Sequence, residues 1–132
     1  MSEVIEMHTG SISKFNDHVA WVRFNNNSYV NLEQAIEMRD KGLELFQGEK
    51  YFGLIDTREV FTNASNEALQ FLANDDKLSK FCVAQAIVVD NLAVSMVANF
   101  YTKYIKNNKE VKTFNNLDKA IKWLETKKTL LN

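Results

Sequence analysis

Apolar positions along this chain fall into two kinds of run, and their alternation predicts an α/β fold. Short runs dense in β-branched and aromatic residues read as strands, while longer stretches with apolar residues every three or four positions read as amphipathic helices. The first strong strand signal covers residues 18–24. Residues 12–15 read as its antiparallel partner across an Asn16-Asp17 turn, and residues 4–8 as a further edge strand. A polar break follows at residues 25–28. A helix then opens at Asn31, whose side chain can cap it while Gln34 reaches back. Its apolar stripe, Leu32, Ala35, Ile36, Leu43 and Phe46, is interrupted by Arg39, and Gly48 supplies a left-handed end.

The run at residues 51–55 ends in Asp56 and reads as a buried strand. After a loop at residues 57–64, Ser65 caps a helix through Ala68, Leu69 and Leu72. Residues 83–89 form the most continuous β run and end at Asp90. A helix at 92–105, a short strand at 111–114 and a helix capped by Asn116 through Ala120, Ile121 and Leu124 complete the chain. Strands joined through helices lie parallel with right-handed crossovers. The predicted architecture is therefore a single domain over residues 1–132, an N-terminal β-hairpin followed by four helices alternating with mostly parallel strands.

Composition fits this picture. Apolar residues make up 45% and charged residues 25% of the 132, enough for a core and not the mark of a disordered chain. The single cysteine permits no intrachain disulfide and fits a reducing compartment. The N-terminus carries acids where a signal peptide carries bases, and no run is long and apolar enough to span a bilayer. A cytoplasmic protein is expected. Net charge is −1, but residues 1–98 carry 14 acids against 8 bases, and residues 99–132 carry 8 lysines against 3 acids. Lys103, Lys106, Lys109 and Lys112 interleave with aromatic residues, yet the overall charge argues against a nucleic-acid partner.

Chemistry is sparse. His8 and His18 match no common zinc spacing, and Cys82, ahead of an apolar strand, reads as a small buried filler. No metal, no cofactor and no catalytic constellation is expected, so the chain reads as a non-enzyme. Asp56 and Asp90 end strands in the middle of the sheet, beyond which ligands bind in open α/β folds. Arg58 stands beside the first, and Asn63, Ser65 and Asn66 open a helix whose free N–H groups suit an anion. The plainer reading, which weighs more, is that both acids satisfy loop amides and that Asp56 pairs with Arg58. The helix at 92–105 carries two apolar stripes where one suffices. Either it is deeply buried or Met96, Phe100, Tyr101 and Tyr104 face another chain, as in a homodimer.

Three stretches, Tyr51-Phe-Gly-Leu-Ile-Asp-Thr-Arg58, Ala98-Asn-Phe-Tyr101 and Lys112-Thr-Phe-Asn-Asn-Leu-Asp-Lys-Ala-Ile-Lys-Trp-Leu124, resemble a family of uncharacterised bacterial proteins within the STAS/SpoIIAA-like superfamily. That superfamily includes the anti-sigma-factor antagonists, in which an Asp-Ser-Ser-Gly loop is phosphorylated on serine. The matching stretch here has Asn63, Ala64, Ser65 and Asn66, so it keeps one serine and loses the acid and the glycine. The resemblance implies a non-enzymatic domain that works by binding: a regulatory protein or a second copy first, a small anionic or lipid-like ligand at the carboxyl ends of the strands as the alternative.

Overall fold

Alternation along each strand sends every second side chain to the same side of a sheet, so a strand apolar at every position needs cover on both faces. A computed structural model describing residues 3–106 and 108–132 shows how that cover is supplied. In chain order the described residues form β1 (Val4–Met7), β2 (Gly10–Asn16), β3 (Val19–Phe24), β4 (Ser28–Val30), α1 (Leu32–Phe46), β5 (Tyr51–Asp56) and β6 (Thr62–Ala64). There follow α2 (Asn66–Asn74), α3 (Asp76–Phe81), β7 (Cys82–Val88), α4 (Leu92–Tyr104), β8 (Glu110–Phe114), α5 (Leu117–Glu125) and a closing 3-10 turn (Lys128–Leu131). The main sheet has the order β1-β2-β3-β5-β7-β8, antiparallel across its first three strands and parallel from β3 onward. The mixed α/β architecture with a mostly parallel sheet is the one the sequence predicts. Among the described residues no helix is long and apolar enough to cross a membrane.

Four local differences have physical reasons. The N-terminal unit is a three-stranded meander, the predicted hairpin with its edge strand at Val4–Met7. Its second turn falls one residue later than predicted, because the β2–β3 register shifts between Lys14 and Asn16 and the Asn16 carboxamide accepts from His18 N at 2.8 Å. Residues 28–30, from the end of the polar break, and residues 62–64, within the expected loop, pair in parallel as a second, two-stranded sheet, with Ser28 Oγ and Thr62 Oγ1 2.7 Å apart. Each strand is too short to show a period. Asn27 and Glu59, ahead of β4 and β6, hold left-handed backbone at φ 61° and 68°. Five α-helices replace the expected four, because Asp75 caps a new helix, α3, by accepting from Leu78 N at 2.9 Å. At the end of α1, Gln47 shares the left-handed turn with Gly48.

Other expectations hold. Asn31 and Gln34 form the reciprocal capping box at 2.9 and 3.0 Å. Arg39, the polar break in the α1 stripe, reaches Asp75 at 3.1 Å and lies over the Phe71 ring, tying α1 to the helices that follow. Ala20, Val22, Tyr51, Gly53, Ile55, Gln85 and Ile87 share one sheet face, under α1, α2, α3 and α4. Val19, Trp21, Phe52, Leu54, Asp56, Ala84, Ala86 and Val88 share the other, under α5.

Asp56 closes β5 on the α5 face, where its side chain is fully enclosed. The Arg58 guanidinium grips it with two bonds of 2.9 Å, Arg58 N donates at 3.2 Å, and Trp21 Nε1 donates from β3 at 3.0 Å. Arg23 adds a longer contact of 3.8 Å. Burial alone would raise this carboxyl. The Arg58 fork and the Trp21 bond, with the Arg58 charge behind them, outweigh burial and hold it below the usual carboxylate value. Removing Arg58 leaves a buried charge without its partner, although the arginine itself is one-third exposed. Arg58→Ala is expected to destabilise the fold by about 2–3 kcal/mol in urea titrations. Because the folded value lies below the unfolded one of about 3.9, this tie is complete above about pH 5 and is lost as acid protonates Asp56. Asp56→Asn should therefore show a shallower fall in stability between pH 5 and pH 2 than the parent protein.

Candidate functional site

The residues singled out for an anion crevice fall into two groups, with Asp56, Arg58 and Asp90 near one another and Asn63, Ser65 and Asn66 apart from them. Asp56 and Arg58 satisfy each other on the α5 face of the sheet, whereas Ser65 and Asn66 belong to α2 on the opposite face. Ser65 Oγ caps α2 by accepting from Ala68 N at 3.1 Å. Asn66 accepts from the Tyr104 hydroxyl at 3.3 Å, and the Asn63 carboxamide takes Ala64 N at 2.8 Å. Asp90 is exposed, with one oxygen 3.0 Å from Glu59 N, holding the left-handed turn ahead of β6. Both aspartates thus bind loop amides or an arginine, the plainer of the two readings. His8 and His18 are exposed, and among the described residues no cluster of three or more His, Cys, Asp or Glu side chains could hold a metal.

Helix α4 divides its two apolar stripes. Leu92, Met96 and Phe100 lie along an outward face and are 79%, 53% and 50% exposed. Val94, Ala98 and Tyr101 turn inward. Tyr101, expected at an interface, is instead a core residue. A large ring with one polar atom can be buried when the hydroxyl finds a partner, and here it donates to Gln85 Oε1 at 2.6 Å. Tyr104 is half-buried at the end of the helix.

Beneath that inward stripe lies a cavity of about 130 Å³, between the sheet and helices α1, α2 and α4. Its floor is the sheet face that carries Ala20, Gly53, Gln85 and Ile87, and Met38, Leu72 and Ala98 contribute from the helices. The β4–β6 sheet closes the end nearest the carboxyl termini of the strands through Val30, Thr62 and Ala64. Small side chains on both walls leave the space: Ala20 and Gly53 from the sheet, Ala64 and Ala98 from above.

The floor also holds a polar chain. Lys109 donates to Leu72 O at 3.0 Å and to the Tyr101 hydroxyl at 3.5 Å; Tyr101 in turn donates to Gln85 Oε1. Lysine can only donate, so the tyrosine proton goes to an acceptor, and the amide oxygen at 2.6 Å is nearer than Leu72 O at 3.4 Å; the amide nitrogen faces Cys82 Sγ at 3.7 Å. Burial pushes the Cys82 thiol and the Tyr101 hydroxyl up and the Lys109 ammonium down. Gln85 is the polar side chain of the cavity floor that was not among the predicted site residues. It is the one polar residue between Val83 and Val89, in a strand buried on both faces, and that placement is the signal that marks it.

In overall fold the chain is similar to an uncharacterised protein of the DUF3478 family with a SpoIIAA-like fold from Shewanella loihica PV-4. The TM-score is 0.51 and the identity 15%, with 94% of this chain and 92% of that chain covered. Among curated proteins none matches. The sequence profile of one family does match, over residues 13–128, from within β2 to the start of the closing 3-10 turn. With that match across most of its length, the chain belongs to the family described as domain of unknown function DUF7793.

Proposed function

We propose that this is a non-catalytic domain that binds a small, mainly apolar molecule between its sheet and its helices. The observation that carries the reading is the cavity of about 130 Å³. A void of that size, if closed and empty, costs on the order of 3 kcal/mol, a large fraction of the stability of a small domain. A cavity lined by apolar side chains stays dry, and one of about 150 Å³ takes up benzene or xenon. The largest well-formed apolar pocket with a few convergent polar groups is where a ligand is to be sought. This site runs along the sheet from Tyr51 and Cys82 to Thr57 and reaches the exposed Asn63 beside β6, so it is partly open to solvent. Support for a non-catalytic role comes from Cys82, whose thiol lines the space and is kept protonated by burial.

Helix α4 favours a second reading, a protein-interaction or regulatory domain. Leu92, Met96 and Phe100 recur every four residues on one face, as an amphipathic helix presents itself to a partner. The partner best matched to an unlabelled apolar stripe of this kind is a second copy.

Two measurements separate the readings. Under xenon pressure, methyl resonances of Ala20, Val22, Ile87 and Ala98 are expected to shift in the parent protein. Ala98→Leu, which fills the space, should stay still under xenon and gain about 1–2 kcal/mol of stability. Unmoved methyls in the parent protein would sink the cavity reading. For α4, sedimentation should give a dimer that becomes a monomer when Met96 and Phe100 are both changed to Asp. A monomer at every concentration counts against the second reading and leaves the first untouched.

A further inference from the structure

Ligand class can be read from the polar atoms that the cavity floor leaves unused. Gln85 is 5% exposed, and its amide oxygen is taken by the Tyr101 hydroxyl at 2.6 Å. Its amide nitrogen has two protons. Among the described residues its one acceptor is the Cys82 sulfur at 3.7 Å, a weak one. The thiol proton is turned towards Ala84 O at 3.8 Å, so the sulfur offers no donor of its own to the space. With the sulfur taking one of the two amide protons, the second N–H of this cavity-lining side chain has no acceptor among the described residues. Buried donors are rarely left so, because an unmade bond costs about 1–3 kcal/mol.

From this geometry we infer that the ligand is a small neutral molecule with one hydrogen-bond acceptor, a ketone, ester or ether oxygen, set on an apolar body about the size of a six-membered ring. The inference rests on reading the cavity as a ligand site. The acceptor sits against the Gln85 amide, and the apolar body extends past Ile87 and Ala98 towards the β4–β6 sheet. A donor such as an alcohol gains less, since Gln85 Oε1 is already engaged. Charge is disfavoured at either sign. Two cations lie near the space: the Arg39 guanidinium is bound to Asp40 and Asp75 at 3.0 and 3.1 Å, and Lys109, behind Tyr101, is held by Leu72 O at 3.0 Å and the Tyr101 hydroxyl at 3.5 Å. An anion would have to be desolvated and to draw one of these cations from its present partners, which costs more than one hydrogen bond returns.

The test uses three probes of similar shape with the whole chain: cyclohexanone, methylcyclohexane and cyclohexanecarboxylate, each titrated while amide resonances are followed. Cyclohexanone is expected to bind the parent protein about tenfold more tightly than methylcyclohexane, the ratio one good hydrogen bond supplies. The carboxylate should not bind. Gln85→Leu strands the Tyr101 hydroxyl and can fail to fold. The double variant Gln85→Leu/Tyr101→Phe removes both partners of that bond, and in it the two neutral probes should bind alike. Equal binding of ketone and hydrocarbon to the parent protein, or tight binding of the carboxylate, overturns the ligand class and leaves the cavity reading standing. Failure of all three probes overturns both.

Discussion

Strands β5 and β7 have hydrogen-bonded neighbours on both edges and packed side chains on both faces. Neither can meet water without leaving backbone groups or apolar surface exposed, and that double burial governs the rest of the molecule. Helices are required on both sides, and the chain supplies four to one face and one, with a 3-10 turn, to the other. A charge at the end of β5 is tolerable because Arg58 and Trp21 close over it. A polar side chain within β7 is tolerable because Tyr101 descends from α4 to meet it.

The two faces solve the packing problem differently. On the α5 side the small residues Ala84 and Ala86 lie among Phe52, Leu54, Trp123 and Leu124, so narrow positions on the sheet receive broad side chains. On the opposite side, small residues of the sheet meet small residues of α4 and β6, and the surfaces do not touch across the gap. Gly53 shows how tight the floor itself is. A methyl there would come within 3.2 Å of Cys82 Sγ and 3.4 Å of the Gln85 side chain, so the glycine makes room for the polar chain beside it. The space lies above a closely fitted wall rather than in a loosely packed region.

Much of the fold was legible because strand and helix periods, caps and breaks act locally. Asn31, Ser65 and Asn116 cap helices as their residue types demand, and the parallel order follows from the helical connections. The two-stranded β4–β6 sheet was not legible, since three residues show no period and its partners are more than thirty positions apart. Tyr101 escaped for a related reason. Two apolar stripes on one helix predict burial and contact equally well, and only the Gln85 amide on another element decides which stripe turns inward. The cavity is harder still, because it depends on where side chains stop, a property of no single residue. The Asp56–Arg58 pair was legible as neighbours of opposite charge at a strand end, whereas the Trp21 bond that completes it comes from another strand.

The β4–β6 sheet has a consequence for timing rather than for affinity. Three residue pairs join its strands, against five or six across the central pairs of the main sheet, and an isolated two-stranded sheet is marginal in water. It is also flanked by left-handed turns at Asn27 and Glu59, whose conformations cost more than those of ordinary residues. Of the walls around the cavity it breaks the fewest backbone bonds when it lifts. Exchange of contents with solvent would then proceed at the rate of that local opening, faster than the whole chain unfolds and slower than diffusion. How fast the interior fills and empties, though not how fully, would be set by the six residues of that small sheet.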